Sequence, residues 1–303
     1  MGFVWGVPYL LIKVAVADLT PISLVLLRTA IGALLLVPLA AMRGSLRPLL
    51  AHWKMIVAFT LVEVTVPWLL LSNAETHLTS SLTGLLIAAV PLIGAVLGLL
   101  IGGDDRLDLR RAVGLVIGFA GVAALVGLDF SVIDVGAVLQ LGLVAAGYAI
   151  GPMIVARRLG GVPALGVVAA SLALTAVVYA PLGVAQLPRT LPPVDVIVAV
   201  AILGAVCTAL AFLLFFALIA EVGALRAQAI TYVNPAVALV LGIALLGEPF
   251  TVGAVVGLAL ILLGLALATR RRSGQTPADQ PRPGGDAQRQ RERGAQHGVG
   301  VEH

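Results

Sequence analysis

The chain predicts an all-α integral membrane protein, on three observations. Its 303 residues are 60% hydrophobic and 11% charged, with a mean hydropathy of +1.09, whereas about a quarter of the residues in a soluble globule are charged. Uniform apolar runs of about 20 residues, the length of a bilayer-spanning helix, recur throughout, without the alternating pattern of a β-barrel. Finally, Gly223 to Phe250 nearly restates Thr79 to Leu107 at a shift of about 144 residues. Pro235, Gly242, Gly247 and Glu248 fall on Pro91, Gly98, Gly103 and Asp104.

Apolar runs between charged or turn-rich breaks predict about ten helices, near 2–17, 22–41, 54–72, 80–101, 110–128, 135–156, 163–185, 195–218, 226–246 and 252–269. The first carries Lys13 one turn before Asp18, where the ammonium is expected to snorkel to the interface. Arg28 stands about two turns into the second helix, where it would pair with Glu63, anchor a substrate carboxylate or serve a structural ion pair. Glu63 occupies the middle of the third helix, with Thr60 and Pro67 on neighbouring faces. The fourth and ninth are the two copies of the repeated segment, each broken by a proline. Glycines spaced by four residues, Gly94 with Gly98 and Gly102, Gly114 with Gly118, Gly147 with Gly151, and Gly253 with Gly257, read as close helix packing.

Lysines and arginines set the topology. With the N-terminus cytoplasmic, the inner breaks hold Arg43, Arg47, Lys54, Arg106, Arg110, Arg111, Arg157, Arg158, Arg226 and Arg270 to Arg272, and the outer breaks hold only Arg189. Both termini are then cytoplasmic and the number of spans is even. Five helices per half make the second half enter the membrane from the opposite face. This gives a 5+5 inverted repeat, 1–128 and 134–269, a plan that puts a binding site near the bilayer midplane. Residues 270–303 read as a disordered basic cytoplasmic tail. At the repeat shift, Met1 falls well inside the sixth helix, so the first helix looks short and a start codon upstream is expected.

The chemistry-bearing residues are few. Charges inside spans cost on the order of 2.5–3.5 kcal/mol at helix centre and each needs a reason. A carboxyl surrounded by apolar side chains is costly to ionise, so Glu63 is either a proton-coupling or substrate-ammonium site or a neutral acid bonded to a neighbouring helix. Tyr232 and Asn234 adjoin Pro235, which frees a backbone carbonyl one turn earlier; with Gln228 they form a candidate polar wall. Trp5, Trp68 and Tyr148 either stack on substrate or fill packing positions. Asp104 and Glu248, at helix exits, read as caps of the next helix or loop hydrogen bonds.

The single cysteine, Cys207, reads as a small buried thiol. His52 and His77 fall in breaks on opposite sides, so no metal site is expected, and neither is a cofactor. The chain lacks a Walker-type loop and a flanked catalytic serine. Its basic residues follow topology, which argues against a nucleic-acid partner.

These residues resemble the EamA-type members of the drug/metabolite transporter superfamily. The resemblance rests on Trp5-Gly6 followed by Lys13, on Leu27-Arg28, on the Pro91 and Pro235 helices, and on the Gly247-Glu248 exit, within the ten-span duplicated layout. It implies a multi-pass cell-membrane exporter of small metabolites, commonly amino acids or related compounds, with a central cavity built by both halves. Gly103-Asp104-Asp105 departs from the glycine-glutamate the family usually shows. The reading is a secondary transporter working by alternating access, with a small-molecule substrate, the lipid bilayer and possible proton coupling. A non-transporting scaffold and an intramembrane lipid-modifying enzyme are its rivals.

Overall fold

The computed structural model describes residues 2–100, 108–127, 134–222 and 233–269. Among them every regular element is helical, and seven helices are long and apolar enough to cross a membrane, with three shorter apolar helices beside them. In chain order these are α1 (Gly2–Ala15), α2 (Pro21–Met42), α3 (Arg47–His77), α4 (Ser80–Leu100), α5 (Leu109–Gly127), α6 (Val135–Arg158), α7 (Ala164–Ala185), α8 (Val194–Val222), α9 (Asn234–Leu246) and α10 (Val252–Thr269). The third runs to His77, five residues beyond its predicted end, and so takes Asn73 and Glu75 into the helix.

Local chemistry sets the helix ends. Thr20, Thr79 and Asp134 cap α2, α4 and α6, each side-chain oxygen accepting the backbone N–H three residues on. Gly247 closes α9 at φ 64°, a left-handed conformation that glycine adopts at no steric cost. Pro91 lacks the N–H that would bond Ile87, and α4 accordingly breaks at Ala88 and Ala89. The expected counterpart at Pro235 is different: α9 begins at Asn234, so this proline occupies its first turn.

Two helices widen by a π-turn. In α3 it spans Thr60–Thr65, just upstream of Pro67, whose ring displaces the carbonyl four residues back; the Val66 N–H reaches Leu61 O. In α8 it spans Ala205–Leu210 without a proline, and the Thr208 hydroxyl donates to Leu203 O at 2.7 Å. A side-chain hydroxyl there takes a carbonyl from the helix ladder. The wider turn in α3 also sets a register. Thr60 meets Ser171 and Thr65 meets Thr175, both at 2.8 Å, so five residues of α3 match four of α7.

The helices pack α2 on α7, α3 on α6, α1 on α8 and on α9, and α4 on α9. Gly121 of α5 faces the Gly257 carbonyl of α10 so closely that a Cβ would lie 2.8 Å from it. Gly98, expected at a helix contact, has nothing within 4 Å of a built Cβ. Apolar side chains such as Ile12, Leu36 and Leu172 fill the interior, and apolar side chains cover the outside as well. Thr60, Thr83, Thr175 and Glu75 are fully buried, while Leu34, Leu139, Val177 and Leu245 are more than half exposed on its circumference. Such an apolar girdle requires lipid as solvent.

Candidate functional site

Arg28 is the buried cation at the centre of the bundle. Its Nε donates to Thr208 Oγ1 at 2.9 Å, and its guanidinium carbon lies 3.8 Å from the centre of the Trp68 ring. Close helix approach makes this possible. A Cβ at Gly204 would lie 2.6 Å from Ile31 Cβ and 3.2 Å from the Arg28 carbonyl, and one at Gly32 would lie 3.1 Å from Thr208 Cγ2. The Thr208 hydrogen goes to Leu203 O, which leaves its oxygen free to accept from Arg28. Tyr9, Tyr148, Cys207 and Glu75 are the titratable groups around the guanidinium. Five helices, α1, α2, α3, α6 and α8, thus converge on one side chain.

Among the described residues no carboxylate lies within ion-pair distance of it; the His77 imidazole meets the Asp134 carboxylate at 3.4 Å near the end of α3. A cation held by one hydroxyl and an aromatic face, worth about 2 kcal/mol when desolvated, is under-compensated for a buried charge. The sequence offered Glu63 as a partner, and the structure does not make that pair. Glu63 sits on the π-turn of α3 with its carboxyl against Gly151 of α6, where a Cβ would fall 2.7 Å from Cδ. Its Oε2 is buried without a protein hydrogen-bond partner among the described residues. Gly147, one turn earlier, takes the Val62 carbonyl and Pro67. The Gly147 and Gly151 notch therefore receives the widened turn. Tyr148 of α6 lies within electrostatic reach of both Arg28 and Glu63, near Trp68.

Other expected residues fall elsewhere. Trp5 joins an aromatic group on α8, 4.6 Å from Phe215 and 6.3 Å from Phe212 between ring centres, one turn along from Thr208. Asn234 turns its backbone carbonyl to α1, 2.9 Å from a Cβ built on Gly6. Gln228, Tyr232, Asp104 and the tail lie outside the described residues. Lys13 does not snorkel: its Nζ donates to the carbonyls of Glu75 at 2.7 Å and Leu78 at 2.8 Å. Glu248 caps a helix, though not the next one. Its carboxylate accepts the N–H groups of Ser80 at 2.7 Å and Ser81 at 2.9 Å, at the start of α4. Thr208, Tyr9 and Glu75 were missed by sequence reasoning. Thr208 and Tyr9 carried no charge to mark them, and Glu75 looked like part of a loop.

Known proteins share this layout. The sequence profile of the EamA-like transporter family matches residues 1–127 and again 136–270. The chain belongs to that family. It is 27% identical over 281 residues to the "Uncharacterized transporter YvbV" of Bacillus subtilis (strain 168), covering 90% of each chain. It is 24% identical over 271 residues to an "Uncharacterized transporter" of Archaeoglobus fulgidus, covering 88% of this chain and 95% of that one. A solved crystal structure matches with a TM-score of 0.63 at 21% identity, over 88% of this chain and 94% of the other, which shows the shared fold. This EamA-family protein is a multi-span membrane protein of a transporter family.

Proposed function

We propose that this EamA-family protein is a secondary transporter that moves small metabolites carrying a carboxylate, such as amino acids, by alternating access, with Arg28 as the carboxylate anchor. One observation carries the reading: a buried guanidinium that lacks an ion partner among the described residues, set between helices of both halves. Its Nε is committed to Thr208, and the remaining guanidinium donors suit the two oxygens of a planar anion. Glu63, about one π-turn away from Trp68 along α3, supplies the proton or ammonium partner, with Tyr148 within electrostatic reach of it and of Arg28. Trp5 and, beyond the described residues, Gln228 and Tyr232 with Asn234 would line the path.

The two-repeat plan, 1–128 and 134–269, is part of the same proposal. It is supported by the exchange of packing partners: α1 on α8 mirrors α6 on α3, and α2 with α7, α4 with α9 and α5 with α10 pair across the halves. The π-turns at Thr60–Thr65 and Ala205–Leu210 occupy matching places in those halves. Inverted repeats rock about a midplane site, and Arg28 with Thr208 bridges them. Cytoplasmic termini, residence in the plasma membrane and outward transport follow from the charge distribution and the family resemblance.

The test is flux of a panel of amino acids and small carboxylates in proteoliposomes under an imposed pH gradient. Arg28→Met should lower flux of carboxylate substrates at least tenfold, equivalent to about 1.4 kcal/mol of lost recognition, while Arg28→Lys recovers part of it. Glu63→Gln should remove the dependence on the gradient. Equal flux in wild type and Arg28→Met overturns the anchor. Absence of flux for every compound favours a scaffold.

A further inference from the structure

The corner between α3 and α4 is held by two opposite charges. Lys13 of α1 bonds the carbonyls of Glu75 and Leu78, and Glu248 bonds the N–H groups of Ser80 and Ser81. Each charge complements a helix end, cation at the C-terminus of α3 and anion at the N-terminus of α4. Between them lies the side chain of Glu75, fully buried, with neither carboxyl oxygen bonded to any described protein group. Ser80 Oγ, at the start of α4, is likewise buried and unpartnered. Lys13, the nearest cation, spends its bonds on the carbonyl of Glu75 and not on its carboxylate.

We propose that Glu75 is a proton-binding site of this protein, and that the proton it carries decides whether Lys13 pins the α3–α4 corner. As the neutral acid, Glu75 leaves Lys13 on the two carbonyls. When the O–H proton passes to water at that face of the membrane, the carboxylate left behind is unbonded, and the Lys13 ammonium, already on the carbonyl of the same residue, is the cation best placed to bond it. Its hydrogen bonds transfer from the carbonyls to the carboxylate, which uncaps the end of α3 and releases Leu78 and the turn into α4, while α1 stays tied to α3 through the side chain of Glu75. Glu248 acts in the same direction, because a second negative charge in the corner repels its carboxylate from Ser80 and Ser81. The charged and titratable groups facing Glu75 are Lys13 and Tyr9 of α1, Arg28 of α2, Tyr148 of α6 and Glu248 after α9. On its own helix His77 is exposed and turned to Asp134. The site would let transport be driven by protons from the end opposite the basic loops, and in that role it rests on the transport reading; its titration does not.

The experiment is pH-difference infrared spectroscopy of the purified full-length protein in lipid bilayers, read at the carbonyl stretch of protonated carboxylic acids. Wild type should show acid bands that disappear as pH rises; Glu63 contributes one, and Glu75→Gln should lose another that Glu248→Gln and Glu63→Gln both keep. Glu75→Asp should keep a band at a displaced frequency, which guards against misfolding of the glutamine variant. Lys13→Met removes the counter-charge, so its band should persist to a pH higher by about one unit or more. Acid bands that are all unaffected by Glu75→Gln and Glu75→Asp overturn the proton site. A Lys13→Met profile identical to wild type overturns the switch. Because no substrate is added, a protein that moves no compound yet titrates as described refutes the transport reading alone.

Discussion

Gly151→Ala tests how Glu63 is seated. A Cβ at Gly151 would lie 2.7 Å from Glu63 Cδ and 3.0 Å from its Cβ, and still closer to Oε2. The neighbour is the root of a side chain, so the carboxyl cannot swing clear without moving the π-turn. Overpacking of this kind costs about 1–3 kcal/mol. The same change gains up to about 1 kcal/mol of helix propensity. The single variant should therefore be less stable than wild type by about 0–3 kcal/mol. In a Glu63→Ala background the carboxyl is gone and only the 3.0 Å contact with the Cβ of residue 63 remains, so the same alanine should lie between neutral and about 1 kcal/mol stabilising. The cost disappears, and the coupling energy equals the relieved overlap of about 1–3 kcal/mol. Gly98→Ala, where nothing lies within 4 Å, supplies the propensity gain alone. Reversible unfolding in mixed micelles, followed by helicity, measures all five proteins. Additive effects of Gly151→Ala and Glu63→Ala would refute the placement of the carboxyl in the glycine notch.

Two further predictions concern the ends and the centre of the bundle. Glu248→Ala leaves the part-buried Ser80 and Ser81 N–H groups without their acceptor and should destabilise by about 1–3 kcal/mol, the scale of a lost helix cap with a charged acceptor; unfolding in the same micelles measures it, and a change under about 0.5 kcal/mol, roughly the scale of neutral surface substitutions, contradicts the cap. Cys207 is buried on the α8 π-turn and should resist a membrane-permeant maleimide in the folded protein and react on unfolding, and rapid labelling in native membranes would place α8 elsewhere.

Much of the fold can be read from the sequence because lipid imposes a simple rule. Backbone groups in hydrocarbon must be satisfied within a helix, so every apolar run of sufficient length becomes one. That is why the helix order, the broken fourth helix at Pro91 and the family resemblance are already present in composition and spacing. The glycine pair at 147 and 151 was legible as a contact for the same reason, but its partner was not. Glu63 fills that notch because Pro67 widens the turn beneath it, a consequence of two helices meeting in space.

The site depended on tertiary structure more heavily still. Arg28 was visible as a costly charge, yet the sequence offered Glu63 as its partner, 35 positions away in a neighbouring helix and of opposite sign. In the bundle Arg28 meets a threonine 180 residues distant and a tryptophan ring. Hydroxyl and aromatic partners carry no charge, and no local pattern announces them. Lys13 stood near a helix end, where a flexible ammonium reaches water by default; only the packing of α1 against the end of α3 offers it two carbonyls. Sequence alone determined that this chain crosses a membrane and where its charges lie, since insertion depends on composition along the chain. Which charges are paired, capped or left alone was decided by the tertiary structure, since each depends on contacts between helices that are remote in sequence.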